Sequence, residues 1–66
     1  MQINLNGKNY VTGASTLEAL AAELKLPESG VVMTVNDEVV PRGNAWQETA
    51  LSEGLKVDVF TVVAGG

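Results

Sequence analysis

The side chains of this sequence offer carboxylates and little else with which to do chemistry. Eight Asp and Glu residues stand against four Lys and Arg, and the chain has neither histidine nor cysteine. The commonest general base, the most reactive nucleophile and the best zinc ligands are therefore missing. Carboxylates can act as acids or bases, but no pair of them lies in a stretch that reads as a pocket. Their scattered placement fits a solvated face. The composition argues against an independent enzyme, and no catalytic or metal-ligating side chain is expected.

The remaining chemistry lies at the end of the chain. Val62, Val63 and Ala64 run into Gly65 and Gly66. An unremarkable frayed end is the bland reading of such a segment. The sharper reading makes the end itself the working part. An α-carboxylate has an ordinary pKa of about 3.3–3.7 and is ionised at neutral pH, so its carbon is a poor electrophile until activated. Lacking Cβ, Gly65 and Gly66 can thread a channel too narrow for a side chain and take backbone angles barred to other residues.

Positioning that end requires a small, efficient scaffold. Sixty-six residues make a single domain, spanning 1–66, with 64–66 expected as a flexible tail. Such a chain buries only about 60% of its unfolded surface. Without cysteine, no disulfide supports it. The net charge of −4 disfavours nucleic acid as a partner. No apolar run approaches the ~20 residues of a membrane span, and no targeting pattern opens the sequence, so a cytoplasmic location is expected.

The elements follow from periodicity. "MQINL" alternates, with Met1, Ile3 and Leu5 on one face. Asn6-Gly7 is a type I′ hairpin signal, and "KNYV" returns as a second strand. "STLEALAAEL" reads as a helix with Leu17, Leu20, Ala21 and Leu24 in one stripe, Ser15 as N-cap, Glu18 completing a capping box, and Pro27 ending the element. "VVMTVN" is a third strand, Asn36-Asp37-Glu38 a turn, and Val39-Val40 a brief strand cut off by Pro41. One helical turn is expected near Ala45 to Glu48, with Trp46 as a lid at the core edge and Leu51 as a plug. "LKVDVFTVV" is the last strand. The expected core holds Ile3, Leu5, Leu17, Leu20, Leu24, Met33, Val35, Leu51, Val57 and Val59. The fold class is α+β: one main helix packed on one face of a mixed four- to five-stranded sheet.

This order, with Gly-Gly at its end, resembles the ubiquitin-like β-grasp proteins, and within them the ThiS family of sulfur carriers. "MQINLNGK", "STLEALAAEL", "VNDEVVPR" followed by Trp46, and "VFTVVAGG" carry the resemblance. It covers essentially the whole chain. It departs at Leu55, where the family usually has an acidic residue. The resemblance implies parallel first and last strands at the centre of the sheet. It also implies a partner cycle. A ThiF-like adenylyltransferase, using ATP and Mg²⁺ that this chain does not itself bind, would adenylate the Gly66 carboxylate. A sulfur donor such as a cysteine desulfurase would give the thiocarboxylate, and a ThiG-like thiazole synthase would take the sulfur for the thiazole of thiamine. Gly65 and Ala64 would thread the tail.

Strand parity puts Phe60 and Val62 on the face opposite the helix, beside Val32 and Thr34 if the strands are neighbours. Ubiquitin-like relatives dock through that face, so these four residues form the expected partner patch. Arg42 reads equally as a charged contact or a solvated loop residue. Two alternatives stand beside the thiamine reading: a carrier of the molybdopterin-synthase small-subunit (MoaD) type or of another sulfur pathway, and a modifier or interaction module that transfers no sulfur.

Overall fold

The computed structural model of the chain describes residues 1–27 and 30–61. Its elements are β1 (Gln2–Leu5), β2 (Lys8–Val11), α1 (Leu17–Glu23), β3 (Val31–Val35), β4 (Glu38–Val40), α2 (Asn44–Glu48) and β5 (Lys56–Thr61). The strands form one five-stranded sheet in the order β2-β1-β5-β3-β4. β1 and β5 run parallel at its centre, and the other pairs are antiparallel. This is the expected β-grasp arrangement.

Two hairpins set the register. Asn6 and Gly7 have φ of 52° and 82°, the paired positive values of a type I′ turn. Asn36 and Asp37, at 51° and 69°, repeat the device between β3 and β4, so that Val35 pairs with Glu38. Glu38, expected within the turn, is the first residue of β4. Pro41 follows β4 directly and holds it to three residues.

The helix begins one residue later than its sequence suggests. Thr16, not Ser15, is the N-cap, and its Oγ1 accepts from the Ala19 amide at 3.2 Å. Ser15 is held elsewhere: its carbonyl accepts from Leu51 N, and Thr16 bridges to Ala50. The approach to the helix is thus pinned to the segment before β5. With Thr16 as cap, the third helical position is Ala19, so Glu18 completes no capping box. The other end also differs. Leu24 is the C-cap, and Lys25 takes a left-handed φ of 57°. Lys25 N donates to Ala22 O, and Leu26 N to Ala21 O. This Schellman closure ends the helix before Pro27 is reached.

Ile3, Leu17, Leu20, Met33 and Val57 are fully buried. Val31, Trp46, Leu51 and Ala14 complete the core, and Leu5, Leu24, Val35 and Val59 pack partly buried around it. Trp46 is thus a core residue rather than a lid. Its Nε1 donates to Val40 O at 2.8 Å, which satisfies the indole once it leaves water.

Candidate functional site

The expected site has two parts, and the described residues contain one of them. Ala64, Gly65 and Gly66, and Val62 of the patch, lie outside the described residues. The strand that leads to them is described. β5 lies between β1 and β3, and its last paired residue among the described ones is Thr61, opposite Val31.

On the face away from α1, β5 presents Phe60 directly opposite Val32. Phe60 is 52% exposed, a large aromatic left in water although the core lies one residue away at Val59. Thr34 pairs with Asp58 on one side and Val39 on the other, and is 9% exposed. Thr34 therefore lies beneath the patch more than on its surface. Sequence reasoning missed Val39, which is 66% exposed and belongs to the same face through its pairing with Thr34. Its signal was the hairpin register: two residues between β3 and β4 place Val39 opposite Thr34. Phe60, Val32 and Val39 thus form the apolar part of the open face near the end of β5, with Asp58 beside them.

The polar clusters elsewhere are structural in form. Arg42 stacks on Trp46 with its guanidinium carbon 4.5 Å from the ring centroid, and its Nη2 donates to Pro27 O at 2.7 Å. It braces the loop after α1 against α2. Glu23 accepts from Tyr10 Oη, Thr12 Oγ1 and Gly13 N. The bond from Tyr10, followed by that from Thr12, holds its pKa below the ordinary value, and the same contact raises that of Tyr10. Lys56 Nζ lies 2.8 Å from Asp37 Oδ1, which ties β5 to the β3–β4 turn and raises the lysine pKa. A groove of about 390 Å³ between α1 and the β4–α2 loop carries Glu18 and Arg42 above an apolar lining, with no nucleophile among its residues. Among the described residues, no group of three or more Asp or Glu is placed to hold a metal ion.

The ThiS family model matches residues 3–66 of the chain. The chain is 30% identical to the sulfur carrier protein ThiS of Escherichia coli (strain K12), over the whole length of both. It is similar in fold to the crystal structure of the thiamine biosynthesis protein ThiS from Geobacter metallireducens, with a TM-score of 0.82, 28% identity and full coverage of both chains. The solution structure of a thiamine biosynthesis protein from the same organism matches with a TM-score of 0.79 and 28% identity, covering all of this chain and 88% of that one.

Proposed function

The chain belongs to the ThiS family, and from that premise we propose that it is a sulfur carrier for the thiazole of thiamine, consumed and regenerated as a co-substrate. The reactive group is the Gly66 carboxylate. One of its oxygens attacks the α-phosphorus of ATP on a ThiF-like enzyme, and pyrophosphate leaves. Sulfur from a donor then attacks the carbonyl carbon of the acyl-adenylate and AMP leaves. Sulfide gives the thiocarboxylate directly, while a persulfide donor gives an acyl disulfide whose S–S bond a thiol then reduces, leaving the thiocarboxylate and a disulfide. A ThiG-like thiazole synthase takes that sulfur.

The first step brings two anions together, so the enzyme must supply the neutralising cations, including the Mg²⁺ that accompanies ATP. This chain contributes docking and delivery. Ordering each tail residue costs about 1–2 kcal/mol, which docking of the domain must offset. Phe60 and Val32, with Val39 beside them and Thr34 beneath, are together with Val62 the surface we assign to that docking, and Gly65 and Ala64 the residues that thread.

The observation that carries this reading is the full-length match to the ThiS family, supported by an exposed Phe60 at the end of β5. Incubation with Mg-ATP, a ThiF-type enzyme and a sulfur source should shift the intact mass by the exchange of one oxygen for one sulfur. Deleting Gly66 should abolish the shift. A wild-type chain that stays unmodified, or that becomes attached to lysine side chains instead, would sink the reading.

A further inference from the structure

Asn6 does more than turn the first hairpin. β1 pairs with β5 in parallel only at Asn4↔Lys56 and Leu5↔Val57, because the chain then turns through Gly7 into β2. The ladder nevertheless continues. Asn4 N donates to Leu55 O at 2.9 Å, and Asn6 N donates to Val57 O at 3.0 Å. The next rung has no β1 backbone to meet, and there Val59 N donates to Asn6 Oδ1 at 2.7 Å. A side chain thus substitutes for the missing carbonyl of a strand that has already left. β3 holds the other edge of β5 from Val57 to Thr61.

The two tasks restrict the residue. A φ of 52° suits Gly, Asn or Asp. Gly would make the turn but has no acceptor. Only Asn and Asp combine the left-handed conformation with an oxygen in reach of a backbone amide.

We propose, resting on the carrier reading, that Asn6 is a positioning residue for the terminal glycine. It holds the β1 edge of β5 at Val59, immediately before Phe60, while β3 holds the other edge on to Thr61, so the docking side chain and the reactive end depart from a strand fixed on both sides. Gly66 lies five residues beyond Thr61, which β3 still pairs, a reach of at most about 18 Å when extended. Over so short a tether, loosening the anchor spreads the terminus over more positions and lowers its effective concentration at the nucleotide. Asn6 touches neither ATP nor the reacting carbon in this scheme, and it acts through β5.

The test compares Asn6→Gly and Asn6→Asp with the wild-type chain, far below their melting temperatures. Two readouts are taken: hydrogen exchange at the Val59 amide, and kcat and KM for pyrophosphate release with Mg-ATP and a ThiF-type enzyme. Asn6→Gly keeps the turn and removes the acceptor. The Val59 amide should lose protection, and kcat should fall by about three- to tenfold with KM little changed. Asn6→Asp should restore both. A purely structural role would lower the melting temperature of Asn6→Gly and leave kcat unmoved, which overturns the proposal, as does failure of Asn6→Asp to recover. If the wild-type chain is itself not adenylated, the carrier reading falls and the delivery role falls with it. The amide exchange then still shows separately whether Asn6 holds Val59.

Discussion

The Tyr10 hydroxyl donates a 2.7 Å hydrogen bond to Oε2 of Glu23, joining the second strand to the last residue of the helix. Thr12 Oγ1 reaches the same oxygen at 2.8 Å, and Gly13 N reaches Oε1 at 3.3 Å. One carboxylate therefore collects three donors, one from β2 and two from the β2–α1 connection, and ties the end of the helix to the sheet.

That cluster gives stability a pH signature at both ends of the scale. The Glu23 pKa is lowered, first by the Tyr10 hydrogen bond and then by Thr12. Its contribution is complete above the ordinary value of 4.5 and is lost as pH falls through the depressed folded value. The Tyr10 pKa is raised by the same bond, so its contribution is complete below 10.0 and is lost as pH climbs through the raised value. Glu23→Gln should flatten both limbs of a plot of urea midpoint against pH. A variant whose acid limb stays as steep as that of the wild type would show that other carboxylates set it.

Lys25 occupies the left-handed position of the Schellman closure, with φ of 57°, where glycine is the usual occupant. A side chain there is strained by about 1–2 kcal/mol, while glycine returns up to about 1 kcal/mol through the entropy of the unfolded chain. Lys25→Gly should stabilise the protein by a net of about 0.5–1 kcal/mol in urea unfolding. Lys25→Val, β-branched at positive φ, should destabilise it. Equal midpoints for the two variants would remove the backbone explanation.

Lys25 also marks where sequence reading reached its limit. The succession of elements along the chain, the Asn6-Gly7 hairpin, the helical stripe and most of the core were legible because period-2 and period-3.6 patterns are local, whereas the parallel pairing of the first and last strands followed only from the family resemblance. The helix ends were not. Ser15 and Thr16 are both good caps, and the choice between them was made by pairing with Thr49–Leu51, more than thirty residues away. A lysine carries no signal for left-handed geometry, so Pro27 looked like the stop. Trp46 read as a lid because α2 is a single short turn. Its burial depends on Val40 supplying a carbonyl and Arg42 covering the ring. Asn6 was legible as a turn residue but not as an acceptor for Val59, since that contact spans 53 positions.

Leu20 of α1 is fully buried in the core cluster that also holds Ile3, Met33 and Val57. With no disulfide in the chain, the core carries the stability of a small domain alone. Leu20→Ala should cost about 2–5 kcal/mol, a large share of a marginal total. Ala22→Ser, on the exposed side of the same helix, should shift stability by under about 0.5 kcal/mol. Chemical denaturation of both decides it, and comparable losses would mean that helix propensity, not burial, dominates α1.

Phe60 provides the test that separates docking from folding. Its ring lies on the open face opposite Val32, while Val57 and Val59 of the same strand turn inward. Removing an exposed ring leaves no cavity, so Phe60→Ala should keep the wild-type melting temperature to within a few degrees. If the ring enters a pocket on the activating enzyme, truncation should cost about 2 kcal/mol or more of binding, at least a tenfold weaker Kd. Val11 is 75% exposed and lies on the outermost strand, two positions across the sheet from β5. Val11→Ala therefore serves as the control and should bind unchanged. Titration calorimetry against a ThiF-type enzyme distinguishes the outcomes. Equal Kd values for the two variants would show that exposure at Phe60 has no bearing on partner choice, and the docking surface would have to be sought away from the open face of the sheet.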